Sequence, residues 1–192
     1  MTKTIRIDDV SKLAHNWGRF DNYTVTHDTK SGGTLTVTRE VYDHGSAAAV
    51  MLYAPDAGTV ILTRQFRLPP HLNGDNAWMI EAPAGLLDGE AAAVAARREA
   101  IEETGYAPKN LTFLFDAYAS PGSLTEKCAC FIGHYTPGET VGAGGGLVHE
   151  GEDIEVFKVS FDAAYAMIES GEIVDAKTIM MLQALKLQLA GL

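Results

Sequence analysis

Alternating hydrophobic and polar positions mark the first part of the chain as β structure. The segments YTVTHDT at 23–29 and TLTVTREVYD at 34–43 alternate and are rich in Thr, Val and Tyr, with SGG at 31–33 between them. This pattern predicts a hairpin. The next pair, AAAVMLYA at 47–54 and TVILTRQF at 59–66, is apolar almost throughout, which predicts strands buried on both faces.

The rest of the chain interleaves strand and helix patterns. Strand patterns occupy 78–85, 111–120, 126–136 and 152–160, and helical patterns occupy 89–104, 161–173 and 175–191. Ser160 and Asp175 are the expected N-caps of the last two helices. The order of the elements predicts an α+β fold, with a mixed sheet flanked by helices.

Two segments are expected to lie outside regular structure. RLPPHLNGDN at 67–76 contains a Pro-Pro pair and an Asn-Gly pair, so we expect it to be an irregular loop. GAGGGL at 142–147 is expected to be a mobile loop. No Lys-Ser or Lys-Thr pair follows these glycines, so they do not resemble a phosphate-binding P-loop.

Composition narrows the classes of function. The 192 residues are enough for one domain, or for a domain with a small appendage. The net charge of −10 argues against partners that are nucleic acids or anionic membrane surfaces. A small anionic substrate stays compatible, because a divalent cation can reverse the local field. The chain has no apolar run of membrane length and no signal-peptide pattern, and only two cysteines, so we expect a cytoplasmic protein.

The helical segment at 89–104 carries three like charges within five positions. Glu99, Glu102 and Glu103 share one face, where each close pair costs about 0.2–0.5 kcal/mol. One interpretation is a solvated acidic face. The other is a site for a hard cation such as Mg²⁺, which takes oxygen ligands from carboxylates, water and phosphates. Asp88 or Gly89 is expected to cap the start of this helix, and Gly105 its end.

The identities around these glutamates decide between the two interpretations. The chain has Gly85, Glu90, Arg98-Glu99-Ala100, Glu102-Glu103 and Gly105-Tyr106. This series resembles the Nudix box and differs from it at one point, since four residues instead of five separate Gly85 from Glu90. The match fixes several charged identities over about twenty positions, so it favours the metal site.

The resemblance extends along almost the whole chain. The segments that carry it are TREVYDHG (38–45), RQFR (64–67), EAPAGLLD (81–88), YASPGSLTE (118–126), AGGGL (143–147), EDIEV (152–156) and GEIVDAKT (171–178). They are similar to the GDP-mannose pyrophosphatase branch of the Nudix family, which lies close to the ADP-ribose pyrophosphatases. The resemblance implies a Nudix α/β/α sandwich over 45–192. It also implies a small β segment over 1–44 that forms a homodimer by exchanging strands.

The resemblance also implies the cofactor and the catalytic residues. The cofactor is Mg²⁺, with Mn²⁺ as an alternative. The implied metal ligands are the backbone carbonyl of Ala84 and the carboxylates of Glu99, Glu103 and Glu152. Glu150 or Glu152 is the implied base. Arg98 is expected to orient the glutamates, and Glu102 to hold Arg98 or to contact a second metal through water.

A further set of residues is expected to bind the substrate. Arg67 suits phosphate oxygens through its planar fork. Trp17 could stack on a base, and a core or interface role for it is an equal alternative. The complete implied set is Trp17, Arg39, Glu40, Arg67, Glu126 and Lys177.

The leading hypothesis is a Mg²⁺-dependent hydrolase of nucleoside diphosphate sugars, with GDP-mannose first and ADP-ribose second. A ligand sensor with a Nudix fold is the competing class. Such sensors tend to lose box glutamates and to carry a DNA-binding domain, whereas the glutamates here are intact. A third hypothesis, an enzyme that removes oxidised nucleoside triphosphates from the nucleotide pool, fits less well, because enzymes of that kind usually lack the N-terminal β segment.

Overall fold

The computed structural model describes residues 3–192. Its strands are β1 (Ile5–His15), β2 (Arg19–Asp28), β3 (Thr34–Asp43), β4 (Ala47–Ala54), β5 (Thr59–Phe66), β6 (Trp78–Glu81), β7 (Ala84–Leu86), β8 (Lys109–Tyr118), β9 (Lys127–His134) and β10 (Glu155–Ser160). Its helices are α1 (Leu68–Leu72), α2 (Ala92–Thr104), α3 (Phe161–Ser170) and α4 (Ala176–Leu189), and Val148–Glu150 forms a 3₁₀ turn.

The chain divides into two compact units. One unit contains the residues up to Ser46 together with Tyr118–Lys127, and the other contains Ala47–Ala117 and Cys128–Leu192. The predicted domain boundary between residues 44 and 45 stays a prediction.

In the first unit, β1, β2 and β3 form an antiparallel sheet in which β2 is central. The predicted hairpin corresponds to β2 and β3, and β1 was missed. Register shifts interrupt the pairing of β1 with β2 between Ile7 and Asp9 and between Lys12 and Ala14. Each β-bulge shifts the alternation by one residue, so β1 does not follow a period of two along its length.

In the second unit, a mixed sheet has the strand order β10-β5-β4-β9-β8, with β6 added to β5 and β7 added to β4. The central strand β4 pairs parallel to β9 and antiparallel to β5. Every residue of β4 is buried, which confirms the prediction of a strand covered on both faces.

Alternate residues of β4 enter two separate cores. Ala49, Met51 and Tyr53 pack in a cluster that includes residues of α3 and α4. Ala48, Val50 and Leu52 pack in a second cluster with alanines of α2. Helices therefore cover both faces of the sheet, and the predicted α/β/α sandwich is confirmed.

The ends of the helices confirm several predicted caps. The side chains of Ser160 and Asp175 accept hydrogen bonds from the backbone of α3 and α4, at 3.2 and 3.0 Å. Gly105 ends α2 with a φ of 77°, the left-handed conformation that glycine adopts without strain.

Two predictions about local structure were wrong. The segment 67–76 contains the short helix α1, because proline in a first helical turn needs no N–H partner. Helix α2 begins at Ala92 after Ala91, which caps it without a side-chain hydrogen bond. Asp88 and Gly89 have φ values of 48° and 83°, so they form the preceding turn and not the N-cap.

Candidate active site

Two glutamates of α2 lie on its buried face. Glu99 is 8% exposed and Glu103 is 1% exposed, and both belong to the same face as the alanines that pack on the sheet. Oε2 of Glu103 is buried and has no hydrogen-bond partner among the described residues. Burial, together with the charges of Glu99 and Glu152, raises the pKa of Glu103 to about 8. The site therefore has a buried carboxylate that no cation among residues 3–192 neutralises fully.

Arg98 is connected to three of the neighbouring carboxylates. Its guanidinium donates to Glu90 at 2.9 Å, to Glu99 at 2.7 Å and to Glu102 at 3.0 Å. It also donates to the backbone carbonyl of Leu86 at 2.9 Å. These contacts match the orienting role expected for Arg98. They also match the expectation that Glu102 holds Arg98. Glu90, which precedes α2, is a further hydrogen-bond partner of Arg98.

The strand before the helix leaves space for Glu99. A Cβ atom added to Gly85 would lie 2.1 Å from Oε1 of Glu99, so no other residue fits at this position without displacing the carboxylate. Ala84 precedes Gly85 in β7 and pairs with Ala49 of β4. The implied metal ligand Ala84 is therefore next in sequence to Gly85, the residue against which the carboxylate of Glu99 lies.

The glycine run 142–147 is hydrogen-bonded to the end of α2. Gly145 donates its N–H to the carbonyl of Glu103 at 2.8 Å, and Gly146 donates to that of Glu102 at 3.1 Å. These bonds satisfy carbonyls that the last turn of a helix leaves without partners. The glycines permit close approach to the helix, and these hydrogen bonds join the loop to it. The expectation that this loop is mobile stays a prediction.

The same segment brings Glu152 to the glutamates of α2. Oε2 of Glu152 accepts a hydrogen bond from the backbone N–H of Leu147 at 2.8 Å. A Cβ added to Gly146 would lie only 2.6 Å from that oxygen. Burial has the largest effect on the pKa of Glu99 and of Glu103, and the charge of Glu152 makes a smaller contribution that raises both. Glu99, Glu103 and Glu152 therefore form one cluster, which we call the acidic cluster.

The other proposed base lies in a different environment. The side chain of Glu150 is 58% exposed and lies 3.7 Å from Nε2 of His149. It ends the 3₁₀ turn before Gly151. The structure thus brings Glu152, and not Glu150, into the acidic cluster, and the choice of base stays a prediction.

A second buried carboxylate was missed by the sequence analysis. Glu81, at the end of β6, is 3% exposed and binds Arg67 through two hydrogen bonds of 2.8 and 3.1 Å. It also accepts a hydrogen bond of 2.5 Å from Lys177. Burial alone would raise the pKa of Glu81, but the charges of Lys177 and Arg67 lower it to about 2. The available signal was a glutamate inside the otherwise apolar stretch WMIEAPAG.

The remaining predicted substrate residues lie in the first unit. Trp17 is 72% exposed, which excludes a core role within its unit, and its ring stacks on that of His44 with centroids 5.0 Å apart. Nε2 of His44 lies 3.5 Å from Oε2 of Glu126. The sequence analysis did not select His44. Arg39 and Glu40 are exposed on β3, and Arg39 contacts the backbone carbonyl of Thr38.

The acidic cluster was tested for its fit to a divalent cation. Within residues 3–192, no three His, Cys, Asp or Glu side chains are already arranged as a metal site. Glu99 is turned to Arg98 and Glu152 to the backbone, while Glu103 has an oxygen without a partner. Buried carboxylates in excess of nearby cations are the donor set that a hard cation prefers. The residues therefore fit Mg²⁺ or a similar ion.

Comparison with known proteins identifies the class. The model of the NUDIX domain matches residues 43–182. The chain belongs to the Nudix family, and the matched region contains the glutamates of α2.

Relatives with similar sequences narrow the class further. The GDP-mannose pyrophosphatase of Pectobacterium atrosepticum (strain SCRI 1043) is 46% identical over 184 residues, which cover 95% of this chain and 94% of that protein. The GDP-mannose pyrophosphatase of Enterobacter sp. (strain 638) is 42% identical over 193 residues, covering 100% of this chain and 99% of the relative. The chain is a Nudix pyrophosphatase and therefore a hydrolase.

A solved structure supports the fold independently. The crystal structure of an ADP compounds hydrolase superposes with a TM-score of 0.73 at 20% identity, covering 97% of this chain and 95% of that one. Among the described residues, no helix is both long enough and apolar enough to span a membrane.

Proposed function

We propose that this protein hydrolyses the diphosphate of a nucleoside diphosphate sugar, with GDP-mannose as the first candidate and ADP-ribose as the second. The observation that carries the proposal is the acidic cluster, in which Glu103 is buried with an unpartnered oxygen beside Glu99 and Glu152. The names of the relatives supply the order of the two substrates.

The residues that would hold Mg²⁺, or Mn²⁺ in its place, are Ala84 through its carbonyl, and Glu99, Glu103 and Glu152. When bound, such an ion neutralises charge on the phosphate oxygens and acidifies a coordinated water. Arg98 keeps Glu99 oriented through its 2.7 Å hydrogen bond. Glu152, held by the backbone N–H of Leu147, or Glu150 from the preceding turn, accepts the proton of the attacking water.

Water is the nucleophile in this proposal. Cys128 and Cys130 are both buried in the core on β9, and neither belongs to the acidic cluster. Attack of water on phosphorus breaks the bond between that phosphorus and the bridging oxygen, so GDP-mannose gives GMP and mannose 1-phosphate. Two buried cysteines that form no disulfide among the described residues agree with a reducing compartment, and we propose a cytoplasmic location.

A substrate panel in ¹⁸O-labelled water tests the reaction. We expect Mg²⁺-dependent release of two monophosphates, faster from GDP-mannose than from ADP-ribose, with the label on one phosphate only. Free mannose, or label in a sugar hydroxyl, would indicate glycoside hydrolysis and exclude the proposal. Binding of both compounds without any turnover would favour the ligand sensor.

The proposal includes a homodimer formed by the first unit. Large apolar side chains are exposed on its sheet: Ile5 (72%), Ile7 (58%), Val10 (49%), Leu13 (47%) and Leu35 (48%). An exposed apolar face of this kind supports association with another protein surface. We propose that a second copy covers it, and that Trp17, Arg39 and Glu40 of one protomer serve the site that contains Glu103 of its partner. Glu126 would contact the same substrate.

Subunit complementation tests the shared site. An Arg39→Ala variant and a Glu103→Gln variant are mixed under conditions that allow subunits to exchange. One site of each mixed dimer then has an intact Arg39 and an intact Glu103, so we expect activity to return. Mixed dimers without recovery, or a fully active parental monomer, would contradict the shared site.

A further inference from the structure

Glu81 has two cationic partners, Arg67 and Lys177. Nε and Nη2 of Arg67 donate to its two oxygens at 2.8 and 3.1 Å. Nζ of Lys177 donates to Oε2 at 2.5 Å. All three side chains are charged, and hydrogen bonds between charged groups are shorter and stronger than neutral ones. One carboxylate therefore fixes the ends of two flexible side chains.

The three residues belong to segments that are far apart in sequence and firmly joined in space. Arg67 follows β5, Glu81 ends β6, and Lys177 lies in the first turn of α4. The N–H of Ala82, next to Glu81, donates to Oγ1 of Thr178, next to Lys177, at 2.7 Å. This neighbouring bond is fully buried, so it joins the end of β6 to the start of α4 and keeps the backbones of Glu81 and Lys177 close together.

The pairing leaves donors unused on both cations. Glu81 occupies Nε and Nη2 of Arg67, and Nη1 has no partner among the described residues. Nζ of Lys177 bonds Glu81 and lies 3.1 Å from Asp175, which leaves one of its three N–H groups. The side chain of Arg67 is 41% exposed, whereas that of Glu81 is 4% exposed. The carboxylate of Glu81 is therefore buried, while the side chains of Arg67 and Lys177 that bind it are partly exposed to solvent.

Arg67 and Glu81 lie near the acidic cluster, because Glu81 is four residues before Gly85, where an added Cβ would meet the carboxylate of Glu99. The charge of Arg67 lowers the pKa of Glu103, while burial and the charge of Glu81 raise it. A diphosphate held near Glu103 would therefore meet two fixed cations with free N–H groups, and both are already among the predicted substrate residues.

We propose that Glu81 is a positioning residue that holds Arg67 and Lys177 as a paired binding site for substrate phosphate. This inference rests on the proposed function, because it assigns to Glu81 the orientation of two of the residues expected to bind the diphosphate. Glu81 itself touches no substrate.

The test compares Glu81→Gln with Glu155→Gln. The control removes a carboxylate that pairs with Arg64 at 2.7 Å on the neighbouring strands β5 and β10, in an exposed position. Steady-state kinetics with GDP-mannose are measured at pH 7 below the unfolding transition. Binding of methylenediphosphonate in the presence of Mg²⁺ is measured by calorimetry, because this diphosphate mimic cannot be hydrolysed and carries no base or sugar.

We expect Glu81→Gln to raise KM for GDP-mannose and the Kd for methylenediphosphonate by about 10-fold or more, with a smaller change in kcat. Glu155→Gln should leave both constants at parental values. A Glu81→Gln variant that is less stable but has parental KM and Kd would overturn the inference, since Glu81 would then serve only the fold.

Glu81→Asp keeps the test decisive if Glu81→Gln does not fold. This variant retains the charge and moves the carboxylate back by one methylene, so we expect it also to bind methylenediphosphonate more weakly than the parent does. Parental binding would again overturn the inference.

A parent that binds methylenediphosphonate but hydrolyses neither GDP-mannose nor ADP-ribose would contradict the proposed function alone. A parent without affinity for methylenediphosphonate would contradict the inference.

Discussion

Glu81 and Glu103 are the same residue type at almost the same burial, and their surroundings differ in charge. Glu81 is 3% exposed and Glu103 is 1% exposed. Burial raises the pKa of both carboxyls. Lys177 and Arg67 reverse this effect for Glu81 and bring its pKa to about 2, whereas Glu99 and Glu152 add to it and bring the pKa of Glu103 to about 8.

The difference identifies which carboxylate the protein can keep ionised by itself. The cations that balance Glu81, Arg67 and Lys177, belong to the same chain, so the charged form of Glu81 adds to the stability of the folded state. Glu103 has carboxylates around it, and one of its oxygens has no partner in the part of the chain that the structure describes. Its charged form needs a cation from solution, which is what the proposed metal site would provide. Burial of a carboxylate thus indicates a ligand only when the chain supplies no counter-charge.

The largest expected effect follows from removing the charge of Glu103. Glu103→Gln should lower Mg²⁺-dependent turnover of GDP-mannose by about 10³-fold, because a metal contributes several kcal/mol to the transition state. The unfolding temperature without metal should stay at or slightly above that of the parent, since a buried carboxylate among other carboxylates destabilises the folded state when it is charged. Turnover and thermal unfolding are measured on the same preparation.

Thermal unfolding with added Mg²⁺ gives a second readout of the same variant. A ligand at 100 times its Kd stabilises a folded protein by about 2.7 kcal/mol. The parent should therefore gain stability from Mg²⁺, and Glu103→Gln should gain much less. Near-parental turnover together with a parental gain in stability would refute Glu103 as a metal ligand.

Much of this arrangement could be predicted from the sequence, because its signals are local. Strand β4 is continuously apolar, and the caps Ser160 and Asp175 lie next to their helices. The spacing of Glu99 and Glu103 places both on one helical face, whatever the rest of the chain does. These features depend on residues a few positions apart, which is the range that periodicity and capping rules describe.

The missed features depend on partners that are distant in sequence. Glu81 lies 14 residues from Arg67 and 96 from Lys177, so its pairing becomes visible only when three segments meet. Lys177 lies in the first turn of α4, where a cation is disfavoured, and its two carboxylate partners, Glu81 and Asp175, account for it. The hydrogen bonds of the glycine run 142–147 were not predicted, because the helix end that accepts them lies some forty residues earlier.

A smaller effect concerns stability in acid and distinguishes Glu81 from exposed carboxylates. Its pKa falls from 4.5 to about 2 on folding, so its contribution to stability is fully present above pH 4.5 and is lost as the pH falls through 2. At about 1.4 kcal/mol per pH unit, this contribution is about 3 kcal/mol. Glu81→Gln should therefore be less stable than the parent at pH 7.

Denaturant unfolding from pH 7 to pH 2 measures this contribution. The difference between the parent and Glu81→Gln should shrink steadily below pH 4.5. Glu155→Gln should differ from the parent by less than about 1 kcal/mol at every pH, because its ion pair with Arg64 is exposed. A difference between parent and Glu81→Gln that does not change with pH would mean that packing, and not charge, accounts for it.

The smallest expected effect comes from moving Glu152 without changing any charge. Gly146 and Gly151 have φ values of 78° and 81°, so alanine introduces similar backbone strain at both, of about 1–2 kcal/mol. They differ in what the new Cβ would meet. At Gly146 it would lie 2.6 Å from Oε2 of Glu152, whereas at Gly151 nothing lies within 4 Å.

Gly146→Ala should therefore displace the Glu152 carboxylate from the acidic cluster, while Gly151→Ala reports the strain alone. We expect Gly146→Ala to lower turnover and Mg²⁺ affinity by about 10- to 100-fold, the range found when the support of a metal ligand is disturbed. Gly151→Ala should lose a similar amount of stability and keep turnover close to that of the parent. Equal losses of turnover in the two variants would mean that backbone strain accounts for both, and that the distance between Glu152 and Glu103 is not what the glycine run controls.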